Sequence, residues 1–133
     1  MRTDRTGRLR VLSGSDRAKE GAVLSKAVVR AAVFLRLSNA AVARVLGLSE
    51  STISRMNSGS FAISPDTKPF ELAQLFVRLF RSLDAIMGSD DAASQSWLRT
   101  DNIALGGKPI DLIQNVTGLL TVLQYVDSRR API

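Results

Sequence analysis

Apolar residues recur at helical spacing along most of the chain. From Gly21 to Leu37 the apolar side chains share one face of a helix, and Lys26 and Arg30 lie on the opposite face. A helix that is apolar on one side and basic on the other buries the first face and exposes the second. No stretch alternates apolar and polar residues in the way that predicts a strand. The pattern therefore predicts an all-α protein.

Two shorter helices are predicted directly afterwards. The first is capped by Ser38 or Asn39 and ends at Gly47, and the second is capped by Ser49. The unit reads NAAVARVLGLSESTISRM over residues 39–56. Its apolar positions, its small Ala43 and its turn glycine stand at the offsets that let two short helices cross steeply through a tight turn. This spacing predicts a helix-turn-helix, and the less specific interpretation is an uncommitted helical hairpin.

The longest helix is predicted from Phe70 to Met87. Its apolar residues cover about 200° of the helix surface, which is more than a single neighbouring helix buries. One interpretation is a central helix packed between the two halves of the chain. The other is that part of this face, at Val77 and Phe80, joins two copies of the chain.

Short helices separated by turns are predicted for the remaining residues. Asp90 or Asp91 caps a helix that carries Trp97, which is expected in the core. Pro109 begins the next helix. Gly118 is interpreted as interrupting that helix before a final helical stripe of apolar residues. The adjacent aspartates are interpreted as a cap, because two carboxylates without further ligands bind a metal weakly.

Composition excludes much enzyme chemistry. The 133 residues contain no Cys and no His, so disulfides, thiolate or imidazole catalysis and the usual zinc sites are excluded. The turn LGGKP is not a phosphate-binding P-loop, because Pro109 follows Lys108 where a Ser or Thr is required. No apolar run reaches the roughly 20 residues of a membrane span. We expect a cytoplasmic protein that is not an enzyme, with no catalytic residue, no metal and no cofactor.

Positive charge is concentrated in the first half of the chain. Residues 1–60 carry eleven Lys or Arg against four Asp or Glu, and residues 61–133 carry seven against eight. Net charges of +7 and −1 suggest that the front end meets a polyanion, either nucleic acid or an anionic membrane, unless it is only a solvated basic face. Residues 1–19 hold six of these basic residues and few apolar ones, which predicts a flexible arm.

The second helix of the predicted helix-turn-helix carries the candidate DNA-reading residues. Its helical wheel points Ser51, Ser54 and Arg55 outward and puts Thr52 on the flank. Arg55 is the best candidate for reading a base, because its planar fork can grip guanine in two places. The candidate phosphate contacts, which set affinity and not sequence preference, are Lys26, Arg30, Arg44 and the arginines of the N-terminal arm.

Four blocks, taken in order and spacing, resemble the Xre/MbcA/ParS-type antitoxins of bacterial toxin–antitoxin pairs. The blocks are LGLSESTISRM, FVRLFRSLDAIMG, WLRTDNIALGGKPIDLI and GLLTVLQYVDSRR. The resemblance implies an N-terminal helix-turn-helix domain over residues 20–83 and a small helical toxin-binding domain over residues 84–133. It also implies a protein that represses its own operon by binding operator DNA as a homodimer.

The partner that this resemblance implies is a RES-domain toxin, which attacks NAD or uses it to modify a target. In the family the C-terminal end of the antitoxin lies near or over the NAD pocket of the toxin. That role would fall here on Tyr125, Asp127, Ser128, Arg129 and Arg130. The alternative is a stand-alone transcriptional regulator whose C-terminal half dimerises or senses a small ligand.

Overall fold

The computed structural model describes residues 2–3, 9–10 and 14–130, which form seven helices and two short strands. The helices are α1 (Gly14–Leu35), α2 (Asn39–Leu46), α3 (Glu50–Asn57), α4 (Lys68–Ile86), α5 (Asp91–Arg99), α6 (Pro109–Leu112) and α7 (Val116–Arg130). The strands β1 (Arg2–Thr3) and β2 (Leu9–Arg10) pair antiparallel. The all-α class is confirmed by the seven helices. The two strands were not predicted from the sequence, because strands of two residues are too short to show an alternating pattern.

The first helix begins earlier than the sequence indicated. It starts at Gly14 and not at Gly21, so residues 14–19 are helical and do not belong to a flexible arm. Asp16 lies in the first turn, where a carboxylate complements the helix dipole, and Arg17 forms an ion pair with Asp66. Such a pairing between distant residues leaves no periodic signal in the sequence. The rest of the expected arm, apart from the backbone of the two strands, lies outside the described residues.

The centre of the fold is α4. This helix packs against α1, α2, α5 and α7, which confirms the interpretation of a central helix. Phe76, Leu79 and Leu83 are at most 1% exposed. Val77 is also buried within the single chain, and the half-buried Phe80 stacks on Phe34 with ring centroids 5.7 Å apart. The width of the apolar face is therefore explained by intramolecular contacts.

Gly118 does not interrupt the last helix, contrary to the sequence-based interpretation. The break lies between α6 and α7, and Gly118 is inside the first turn of α7. Its N–H donates a 2.9 Å hydrogen bond to the side chain of Asn115, which caps the helix. A Cβ atom at this position would overlap the carbonyl group of Leu112. A glycine is required here because two backbone segments approach closely.

We predict that Gly118→Ala lowers the free energy of unfolding by about 1–3 kcal/mol, because the methyl group displaces the backbone of Leu112. Within an ordinary helix the same change is stabilising by about 1 kcal/mol. Urea denaturation followed by circular dichroism measures the difference. Gly14→Ala is the control, since within the described part of the chain no atom outside its own stretch of helix lies within 4 Å of the added methyl group. A Gly118→Ala protein as stable as the control would contradict the prediction.

Candidate functional site

The predicted helix-turn-helix is present in α2 and α3. The hydroxyl group of Ser38 accepts the N–H of Ala41, and Gly47 ends α2 with a φ of 69°, in the left-handed region that glycine adopts readily. The N–H of Leu48 then donates to the carbonyl of Ala43 at 3.0 Å. Ala43 is 5% exposed, so a larger side chain would find no room there. These local contacts explain why residues 39–57 fold as two helices with a tight turn.

The structure orients α3 as the helical wheel predicted. Its apolar residues Ile53 and Met56 are buried, while Ser51, Ser54 and Arg55 are exposed. The flanking residue Thr52 is half-buried. The outward face of α3 is thus polar and exposed, and its contact with DNA stays a prediction.

A chain of hydroxyl groups positions the arginine on this face. The guanidinium of Arg55 donates to Oγ1 of Thr52 at 3.1 Å, and that oxygen lies 2.8 Å from Oγ of Ser49. Oγ of Ser49 lies 3.1 Å from Oγ of Ser51 and also accepts the N–H of Thr52. The sequence assigned Ser49 only to a helix cap. The hydroxyl group of Ser49 both caps α3 and takes part in this series of hydrogen bonds. The signal that sequence reasoning missed is therefore a capping residue close to the candidate DNA-reading residues.

Two of the predicted phosphate contacts flank α3, and the side chains of the arginines before Gly14 lie outside the described residues. Lys26 and Arg30 are exposed on α1 and line a groove of about 380 Å³ beside the end of α3, which includes Asn57. Arg44 is placed differently, because its guanidinium donates to Oε1 of Gln114 at 3.3 Å. The structure therefore brings Lys26 and Arg30 to the side of the recognition helix and connects Arg44 to the C-terminal half.

Two of the predicted toxin contacts take part in an internal network. Asp127 accepts hydrogen bonds from Arg78 at 2.6 Å and from Ser82 at 2.8 Å. Arg130 donates to the same hydroxyl group of Ser82 at 3.1 Å. Ser82 is fully buried on α4, and a buried hydroxyl group requires such partners. Asp127 and Arg130 hold the end of α7 on α4.

The other three predicted toxin contacts lie at the surface. The ring of Tyr125 is half-buried and stacks on Trp97, with centroids 6.4 Å apart. The guanidinium of Arg129 lies 5.0 Å from the centroid of that ring and donates to the phenol oxygen at 2.9 Å. Ser128 is exposed and bonds only the carbonyl of Tyr125 among the described contacts. Trp97, which was expected in the core, is partly buried and packs against the core cluster beside this tyrosine.

The remaining candidates have structural roles. Asp90 caps α5, since its carboxylate accepts the N–H of Ala93 at 3.1 Å. The carbonyl of Asn102 accepts the N–H groups of Leu105, Gly106 and Gly107, which makes the glycine turn before α6 a compact loop. Across the described ranges, no group of three or more potential ligands is arranged to hold a metal ion. Within the same ranges, no helix combines the length and the apolar character that crossing a membrane requires.

These features define a two-part helical protein, with a helix-turn-helix in the first half and a compact helical domain in the second. Residues 15–78 match the antitoxin Xre-like helix-turn-helix domain, and residues 82–131 match the antitoxin Xre/MbcA/ParS C-terminal toxin-binding domain. No curated protein sequence matches the chain. The chain is an antitoxin of the Xre/MbcA/ParS type, which confirms the family resemblance seen in the sequence.

We predict that Asp127→Ala lowers the free energy of unfolding by about 1–2 kcal/mol, because Arg78 and the buried Ser82 lose a charged acceptor. Ser128→Ala, one residue along the same helix, should change it by less than about 0.5 kcal/mol. Urea denaturation of both variants measures the effect. Unchanged stability of Asp127→Ala together with weaker toxin binding would mean that the carboxylate is a contact and not a support.

Proposed function

We propose that this antitoxin neutralises a RES-type, NAD-consuming toxin by binding it, and that it represses its own operon by binding operator DNA as a homodimer. The observation that carries the proposal is the presence of two matched domains on one chain, one with a polar recognition helix and one described as toxin-binding. We place the boundary between the two functional units inside α4, after Leu83. Neither unit performs catalysis in this proposal.

The DNA-binding role is assigned to the outward face of α3. Ser51, Thr52, Ser54 and Arg55 occupy the positions from which a helix in the major groove contacts base edges. The hydroxyl chain through Thr52 supports this role, because an arginine held before binding loses less side-chain entropy when it meets a guanine. Lys26 and Arg30 are assigned to contacts with the DNA phosphates that border the major groove. We keep Arg44 as a further candidate for a phosphate contact.

The homodimer is assigned to the surface between α1 and α4. Val23 of α1 is 68% exposed and lies with Leu24 and Phe70 in the lining of a groove between the two helices. The groove there has a volume of about 440 Å³, and its lining includes the basic residues Lys19 and Arg81 together with acidic side chains of α1. An isologous dimer requires a self-complementary surface, and an apolar patch bordered by charges of both signs supplies one.

The toxin-binding role is assigned to the end of α7. Tyr125, Ser128 and Arg129 are the proposed direct contacts, since their side chains lie at the surface. A guanidinium at this position can take the place of a group that binds a phosphate of NAD. Asp127 and Arg130 are proposed to contribute by fixing the direction of the helix, with contact to the toxin through their remaining exposed atoms.

The toxin half of the proposal is tested by an NAD-consumption assay with the cognate toxin. We expect the full-length antitoxin to copurify with the toxin and to stop NAD loss at a stoichiometric ratio. Arg55→Ala is the matched control, because a change on the outward face of α3 should leave neutralisation intact. A toxin that remains fully active in the presence of excess antitoxin would refute this half.

The DNA half predicts that Arg55→Ala costs about 1–3 kcal/mol of binding free energy on the operator and relaxes its sequence preference. Fluorescence anisotropy on operator and scrambled duplexes, at one stated salt concentration, measures both effects. Lys108→Ala removes a positive charge from the C-terminal half and should change neither. An equal loss on both duplexes would reassign Arg55 to a phosphate contact.

A further inference from the structure

A cavity opens beside the end of α7, next to the network that holds Asp127. Its volume is about 300 Å³. Its walls include Ile86 and Met87 at the end of α4, Trp97 of α5, and Tyr125, Val126 and Arg129 of α7. Three helices therefore build one concave site, and all of these wall residues fall inside the range that matches a toxin-binding domain.

The walls of this cavity combine apolar surface with a single cation. The stacked rings of Trp97 and Tyr125 form one side, with an angle of 18° between their planes. The guanidinium of Arg129 is held over the tyrosine ring and bonded to its hydroxyl group. Arg129 is the one charged residue among the lining side chains. The site thus suits an apolar group that has a negative charge beside it.

The size of the cavity favours a side chain over a nucleotide or another cofactor. Pockets for small molecules in proteins span roughly 300–1,000 Å³, and this one lies at the lower limit. Interfaces between proteins commonly place one large apolar or aromatic side chain in a pocket of this kind, where its burial dominates the binding energy.

The charge around the cavity indicates the character of the partner surface. Arg129 and Arg130 both lie in the last turn of α7, and Arg78 of α4 contacts the same turn through Asp127. Only Arg78 is bonded to the carboxylate of Asp127, whereas Arg129 and Arg130 bond the neutral hydroxyl groups of Tyr125 and Ser82, so among the described contacts the last turn of α7 keeps an excess of positive charge. An acidic partner surface is complementary to it.

We propose that this cavity, here called the Trp97 pocket, receives one protruding aromatic or long aliphatic side chain of the toxin, with an adjacent toxin carboxylate bound by Arg129. The inference rests on the proposed function, because it requires the toxin as partner. Beyond the proposed function, it states that the antitoxin accepts a side chain of the toxin in this pocket, in addition to presenting the end of α7 to the toxin.

The chain offers a direct probe of this pocket, because Trp97 is its single tryptophan. Antitoxin labelled with 5-fluorotryptophan gives one ¹⁹F resonance, which reports on the pocket. The probe ligand is a catalytically inactive variant of the cognate toxin, added to the full-length antitoxin. We expect the resonance to shift on complex formation, and calorimetry measures the affinity in parallel.

Ile86→Phe fills the pocket from its rim, and Leu120→Phe is the matched control. Both native side chains are 39% exposed, and Leu120 is not among the lining residues of the pocket. We expect Ile86→Phe to weaken toxin binding by about tenfold or more and the control to leave it nearly unchanged. Circular dichroism and operator binding verify that both variants are folded.

The possible failures are distinguishable. If the unmodified antitoxin does not bind the toxin, the proposed function is refuted and the pocket assignment with it. If it binds but Ile86→Phe binds equally well, or if the ¹⁹F resonance does not move, only the pocket assignment is refuted. A small molecule that copurifies, is displaced by Ile86→Phe and remains in the toxin complex would also overturn it.

Discussion

The burial of α4 is the constraint on which the rest of the structure depends. Phe76, Leu79 and Leu83 are fully buried, and the helix is enclosed by α1 and α2 on the DNA-binding side and by α5 and α7 on the toxin-binding side. Buried residues of both halves form one core cluster with this helix, including Val28 and Leu46 in the first half and Leu119 and Val126 in the second. Because the two halves share this core, the two functional surfaces are held on one packed unit.

Polar contacts reinforce this sharing of a core at the end of α1. Arg36 takes a left-handed conformation there, with a φ of 54°, and its carbonyl accepts a 2.7 Å hydrogen bond from Arg99 of α5. Gln95, also on α5, donates to the carbonyl of Phe34 at 2.8 Å. The last carbonyl groups of a helix lack partners within it, so side chains from the toxin-binding half complete a helix of the DNA-binding half. Hydrogen bonds as well as packing therefore join α5 to the end of α1.

How far the sequence predicts this structure depends on the range of the interactions involved. The helix-turn-helix was predicted from the sequence because caps such as Ser49 and turns such as Gly47 act over a few residues. The start of α1 was not, because its first two turns carry almost no apolar residues, and their ion pair joins Arg17 to Asp66 about fifty residues away. The role of Asp127 was hidden for the same reason, since its partners lie on α4. Helical periodicity also could not place Trp97 at the edge of the core, because that position depends on its stacking against Tyr125 of α7.

The end of α7 combines side chains that bond the core with side chains that lie at the surface. Tyr125 and Arg129 are four residues apart and share one side of the helix, where their side chains contact each other and Trp97. Asp127 and Arg130 are three residues apart and share another side, where both bond Ser82. Because the periodicity separates these pairs, the second pair can fix the helix to the core without using the groups of the first. The family resemblance assigned toxin contact to this whole segment of α7. In this chain, Asp127 and Arg130 bond the core, whereas Tyr125 and Arg129 lie where a partner could reach them.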